Sequence, residues 1–538
     1  MKKRNLSLLL VSLIATVSLT GCSFFLDVLE DIDKQINDNS SNANFDVEKV
    51  DVDGKTIMTR TYKDYSNNCV YNLDYCPNSG NVNLLIIPVW FKDSNYYLNE
   101  FKKNKVREDI AKAYLGTNEE TGWRSVKTYY EELSCGKLQI NGKVTDWYES
   151  TYSYKDAGRE PSSSYEESTV NIIVKNAVSW YFENNPSDKR SNYDSDGNGY
   201  LDGVILIYAA PNYMSINDKS LSNLWAYAYW LQDENHTQLA MPNVYFWASY
   251  DFMYSEGIFG SYGYGDTTHC EVDTHTYIHE MGHVFGLEDY YDYSSASYCP
   301  AGGFSMQDYN IGSHDPYSTM ALGWANPYIV TGNSELTIGT FQKTRDLVVI
   351  SENWNGIGSP FDEYLILELY SPTGLNAFDI DYTNKGVNAY NRVDKVGLRL
   401  WHVDARLAMC TGNDKDYNPT YSPSKLTTDQ SKGSYGVYHA FSNTYNDPNY
   451  GSVLGSRYYD YNILQLVRRD TSTGLRTTSV FSQNDLFETG SYDLSNYSKQ
   501  FVNSSPFKMN NGSYANWHFK VTIEGKDDDA TAKIEIVK

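Results

Sequence analysis

The run Leu84-Leu85-Ile86-Ile87-Pro88-Val89-Trp90-Phe91 is apolar without alternation. That pattern marks a strand buried on both faces. Gly203 to Ala210, GVILIYAA, repeats it and predicts a second buried strand. Between them the periodicity is helical. Ser125 to Leu133 reads as an amphipathic helix. Ser168 to Phe182 reads as another, with Val170, Ile173, Val174, Ala177 and Val178 on one side. Leu138 to Trp147 carries Asn141-Gly142, which predicts a hairpin turn. A further helix is expected from Asp273 to Phe285.

After about Ala325 helical periodicity fades and short alternating strands take over. Leu336–Phe341, Leu347–Ser351, Tyr364–Leu369 and Gly397–Val403 are the clearest. Near the end, Phe519, Val521 and Ile523 alternate with polar residues, and Ala532, Ile534 and Ile536 do so again. The acidic turn Lys526 to Asp529 lies between them, which is a β-hairpin pattern. The expected fold class is α/β (α+β). An N-terminal α/β domain over 81–330 is followed by a β-rich C-terminal region over 331–538, built as one or two β-sandwich domains. No repeat of fixed period is present.

The first residues differ from the rest. Lys2, Lys3 and Arg4 precede an apolar stretch from Leu8 to Leu19, too short for a comfortable membrane span. It ends in Leu19-Thr20-Gly21-Cys22, similar to a bacterial lipobox. Residues 1–21 are therefore read as a lipoprotein signal peptide and Cys22 as the lipidated residue. The implied location is the bacterial cell membrane, with the folded part anchored by lipid and facing outside. Residues 22–80 are expected to be a polar spacer, because Asp31 to Asn44 has little to bury.

Composition narrows the function classes. Aromatic residues make up 15% of the 538, with 49 Tyr and 11 Trp, so the chain can bury enough surface to fold. The formal net charge is −24, and loss of Lys2, Lys3 and Arg4 with the signal peptide makes it −27. Nucleic acid, which needs a basic footprint, is excluded as a partner. With Cys22 lipidated, Cys69, Cys76, Cys135, Cys270, Cys299 and Cys410 remain as free thiols or disulfides. Cys69 and Cys76 are near enough to close a small loop.

The chemistry is concentrated in His279-Glu280-Met281-Gly282-His283, an H-E-x-x-H. On a helix the two histidines share a face and can reach one zinc, while Glu280 sits beside the open coordination position as a general base toward water. Gly286 suits a left-handed helix end that turns the chain back, so that Asp289 can supply a third ligand. Glu288 is its close rival.

This segment, HEMGHVFGLEDYYD, resembles the catalytic segment of the immune inhibitor A family of bacterial secreted zinc metallopeptidases. NVNLLIIPVWFKD (Asn81–Asp93) and SVKTYYEELSCGKLQINGKVTDW (Ser125–Trp147) resemble that family's first strand and the helix and hairpin after it. Asp194–Ala210, Gly302–Met306, Ala321–Trp324, Glu363–Glu368 and GLRLWHVD (Gly397–Asp404) follow in order, so the resemblance spans most of the chain from Asn81 onward. It implies a zincin-type catalytic domain followed by a β-sandwich-like region. It implies zinc held by His279, His283 and Asp289, Glu280 as base, and Met306 in a Met-turn. Cys135 and Cys299 fall inside matched stretches where no cysteine is expected.

Asp194-Ser195-Asp196-Gly197-Asn198-Gly199-Tyr200-Leu201-Asp202 reads as a structural calcium loop. Asp194, Asp196, Asn198, Tyr200 (through its carbonyl) and Asp202 are the candidate ligands. The twelfth place is Ile205 rather than Glu, which excludes a regulatory EF-hand. His275 on the helix face, His269 and His314 near the cleft, and Tyr309 as an oxyanion donor are weaker candidates; His402 reads as structural. The expected function is a cell-surface, lipid-anchored zinc metalloendopeptidase that takes protein or peptide substrates. The alternatives are a surface adhesin or glycan-binding lipoprotein on an inactive peptidase fold, and a metal-scavenging lipoprotein. Replacing Cys22 by Ser should move the protein out of the detergent-rich phase in membrane partitioning. Unchanged partitioning would contradict the lipid anchor.

Overall fold

The computed structural model describes residues 51–52, 54–66, 73–162, 166–231, 240–254, 272–294, 298–303, 305–381, 393–409, 426–428, 437–439, 441–444 and 460–538. The lipobox at Cys22, together with Cys69, Cys270, Cys410 and His269, lies outside them. The chain is of mixed α and β structure. It divides into two compact units, one holding 73–287 of the described residues, the other 51–66, 288–381 and 393–538. Among the described residues no helix is long and apolar enough to cross a membrane.

The first unit is built on strands β1 (Gly80–Trp90), β2 (Leu138–Val144), β3 (Tyr148–Glu149), β4 (Val204–Tyr208), β5 (Tyr227–Trp230) and β6 (Val244–Ser249). The order is β2-β1-β4-β6-β5, with β3 beside β1; all pairs are parallel except β5–β6. Its longer helices among the described residues are α1 (Glu100–Leu115), α2 (Val126–Leu133), α3 (Thr169–Asn184) and α4 (His275–Val284). The two uniformly apolar runs became the central strands β1 and β4, as a sheet covered on both faces requires. On one face Leu85, Ile87, Val89, Leu206 and Trp247 pack with Val170, Ile173, Val174, Ala177 and Val178 of α3. Helices α1, α2 and α4 account for the other. Helix starts are fixed locally: Asn99 caps α1, Ser125 caps α2 at Thr128 N–H, and Ser168 caps α3.

One turn signal was misleading. Asn141-Gly142 does not make a hairpin; β2 runs straight through it, parallel to β1, with Gly142 opposite Leu84. Gly is needed there for space. A Cβ on Gly142 would stand 2.4 Å from the Leu84 carbonyl oxygen. The spacer expectation over 22–80 also fails for its C-terminal part. In the second unit, Asp51–Val52 pairs with Lys55–Thr56 and Tyr62–Ser66 is helical. In the first unit, Leu73, Tyr75 and Cys76 are buried. Met58, Tyr62, Tyr65 and Tyr75 supply the apolar surface that Asp31–Asn44 lacks.

Beyond residue 287 the second unit has short helices α5 (Met306–Tyr309) and α6 (Pro316–Ala321), and its main strands are β7 (Tyr328–Val330), β8 (Ser334–Gly339), β9 (Val348–Ile350), β10 (Glu363–Tyr370), β11 (Gly397–Asp404), β12 (Leu464–Val467), β13 (Gly490–Asp493), β14 (His518–Glu524) and β15 (Thr531–Val537). They form one sheet of order β12-β11-β10-β9-β7 and another of order β8-β15-β14-β13. The expected terminal hairpin is β14–β15, with Phe519 opposite Ile536 and Val521 opposite Ile534. Leu365, Leu367, Leu398 and Leu400 of the first sheet share a core with Phe519, Val521, Ile534 and Ile536 of the second.

The Gly142 contact is testable. Gly142→Ala forces the edge strand β2 away from β1, and should lower stability by about 1–3 kcal/mol, read as an earlier urea midpoint. An unchanged midpoint would contradict the parallel β1–β2 register.

Candidate metal centre

Helix α4 carries the H-E-x-x-H. It is held in the first unit by buried tyrosines. Tyr277 donates to the Ser249 carbonyl at 2.8 Å, and Tyr130 of α2 donates to the Ile278 carbonyl at 2.6 Å. Tyr114 of α1 stacks on Tyr277 at 5.4 Å. Burial pushes the Tyr114 and Tyr130 hydroxyls well above their ordinary range, neighbouring ionisable groups add to it, and the Glu280 carboxylate contributes last. Both therefore stay protonated beside Glu280.

The helix ends where the spacing says it should. Gly286 has φ 104°, its N–H donates to the His283 carbonyl at 2.9 Å, and the Leu287 N–H donates to the Gly282 carbonyl at 2.9 Å. This pair of bonds is a Schellman motif, and it reverses the chain. The reversal has a chemical consequence. The Leu287 carbonyl lies 2.7 Å from His283 Nδ1. A carbonyl only accepts, so Nδ1 carries the proton and Nε2 keeps its lone pair for a ligand.

The same short stretch of chain brings His279, His283 and Asp289 together, with one ligand atom from each inside a 4.8 Å cluster. His279 and His283 are each 4% exposed, Asp289 3%. The two Nε2 atoms are 3.2 Å apart. Two nitrogens bound to one tetrahedral zinc at 2.0–2.1 Å would be separated by about 3.3 Å. The donor set therefore fits zinc: two imidazoles and one carboxylate, with a fourth position left over. Glu280, also 4% exposed, follows His279 directly. The Tyr293 hydroxyl donates to Asp289 Oδ2. Glu288 does not belong to the cluster.

The ligand cluster holds none of the other sequence candidates. Met306 is fully buried as the first residue of α5. His275 stacks on Trp123 at 4.2 Å and pairs with Asp273 at 2.8 Å. Tyr309 meets the Cys299 thiol at 3.1 Å, so its hydroxyl has a partner other than substrate. His314 is buried in the second unit, and His402 is bound to Glu363 at 2.9 Å. Cys135 and Cys299 are free thiols. Tyr293 was missed, since one Tyr in a chain with 49 carries no signal of its own.

The acidic loop forms a second cluster, of Asp194, Asp196 and Asp202. Gly199 takes φ 91° at its turn. Asp194 Oδ1 and Asp202 Oδ2 are buried, and neither has a hydrogen-bond partner among the described residues. Burial pushes the Asp202 carboxyl up to about 7. This donor set fits a hard cation such as Ca2+. Asn198 is bound both within the loop and beyond it. Its Oδ1 accepts the Tyr200 N–H at 2.8 Å, and its amide donates to Asp196 and to Asp74, each at 3.1 Å. Asp74 was hidden in the presumed spacer.

No protein-family model matches the chain, and no curated protein matches it.

Calcium should raise the melting temperature of chelator-treated protein by mass action, and Asp202→Asn should remove most of that rise. A melting temperature indifferent to calcium would reduce the loop to a turn.

Proposed function

We propose that the protein is a zinc-dependent endopeptidase of the immune inhibitor A type, tethered outside a bacterial membrane by lipid at Cys22. The observation that carries this reading is the 3.2 Å approach of two buried histidine Nε2 atoms in one cluster with Asp289, on a helix that retains Glu280. His279, His283 and Asp289 would hold the ion. Zinc, when bound, polarises a peptide carbonyl and makes nearby water acidic. Glu280 takes the water's proton on its carboxylate and passes it to the departing amine nitrogen. His283 holds its ligand tautomer through the Leu287 carbonyl. Burial of the cluster keeps competing water from these groups.

Residues 81–330 are read as a zincin-type domain with Met306 in its Met-turn, and residues 331–538 as β-sandwich-like. The acidic loop is read as a structural calcium site. A metal-scavenging protein or an adhesin on an inactive fold needs no base, and an intact, buried Glu280 disfavours both.

Glu280→Gln keeps size and hydrogen bonding but removes the base. The zinc-loaded variant should bind its metal normally and lose about 10²–10⁴-fold in turnover of a denatured protein substrate. Near-normal proteolysis by that variant would overturn the mechanism.

A further inference from the structure

Asp289 differs from the two histidines in its support. They sit on a helix, whereas Asp289 follows the Gly286 turn on a segment without regular structure. A carboxylate there has two side-chain torsions to fix before it can serve as a ligand. The chain beyond it is pinned closely. Tyr290 donates its N–H to the Gln307 carbonyl at 2.8 Å, and its carbonyl accepts from Asn443 Nδ2 at 2.8 Å. The Tyr290 hydroxyl meets Ser318 Oγ at 2.8 Å. Asp292 Oδ1 accepts from Ser294 N–H and Oγ at 2.8 and 2.7 Å. Tyr293 itself donates its N–H to Thr444 Oγ1 at 3.3 Å, and its ring lies edge-on to Tyr291 at 5.0 Å. Its ring position is therefore set by contacts other than Asp289.

We propose that Tyr293 is a positioning residue of the metal centre: its hydroxyl, bound to Asp289 Oδ2, aims the third carboxylate at the ion. The inference rests on the zinc reading above. A donor on one carboxylate oxygen selects one rotamer and favours coordination through the other oxygen. Tyr293 would thus do for Asp289 what the Leu287 carbonyl does for His283.

Tyr293→Phe removes only the hydroxyl. Zinc affinity of the full chain, measured by competition with a chromogenic chelator, should fall about 10–100-fold, the usual effect of losing a group that orients a ligand. Tyr291→Phe should leave it unchanged. The metal-free melting temperature separates positioning from structure, since a structural role lowers it and leaves zinc affinity alone. If Tyr293→Phe melts early without metal, the zinc-induced rise in melting temperature decides: a smaller rise than in the wild type supports the proposal, and an equal rise overturns it. Unchanged affinity with a zinc-binding wild type overturns the proposal and spares the zinc reading. A wild type that takes up no zinc overturns both.

Discussion

Two imidazole nitrogens 3.2 Å apart, buried with a carboxylate, are the constraint on which the rest of this site depends. His283 Nε2 turns its lone pair into this cluster, and a buried carboxylate loses its hydration. A divalent cation, as proposed, would satisfy both groups at once. The surrounding structure is arranged so that the three groups have few other conformations. The helix fixes the histidine spacing, the Gly286 reversal returns the chain, and the Leu287 carbonyl holds the His283 tautomer.

That local order is inherited from the sheet. Strands β1 and β4 carry no polar face because helices cover both sides of them, and α4 is one of the covering helices. The fit is close. A Cβ on Gly203 would stand 3.0 Å from Leu84 Cδ2 and 3.7 Å from Val284 Cγ1, so strand, loop and α4 meet with no spare volume. Residues 73–76 reinforce the junction. The Cys76 N–H donates to the Val284 carbonyl at 2.9 Å, satisfying one of the last acceptors of α4. The Asp74 carbonyl accepts from Trp230 Nε1 at 2.9 Å, and its carboxylate meets Asn198. One segment thus touches both α4 and the acidic loop.

Much of this was legible in the sequence, for physical reasons that also explain the failures. Buried parallel strands announce themselves as unbroken apolar runs, and the three histidine and aspartate positions follow from helical periodicity plus one left-handed glycine. Asn141-Gly142 misled because turn propensity is a local statement, while the β1–β2 pairing is made by residues far apart in the chain. Residues 54–66 and 73–79 looked like tether because their aromatic residues are spaced without a period. The orientation of the Asn198 amide depends on Asp74, which no spacing rule connects to it. Tyr293 is illegible for a similar reason: what distinguishes it is a hydrogen bond, not a pattern.

The central claim is that one zinc is held by His279, His283 and Asp289. Anomalous diffraction at the zinc edge, on crystals of zinc-loaded protein, addresses it directly. The account predicts a single strong peak about 2.0–2.2 Å from both histidine Nε2 atoms and a carboxylate oxygen of Asp289. Zinc ligated by Glu288 in place of Asp289, or no peak at the two histidines, would contradict it.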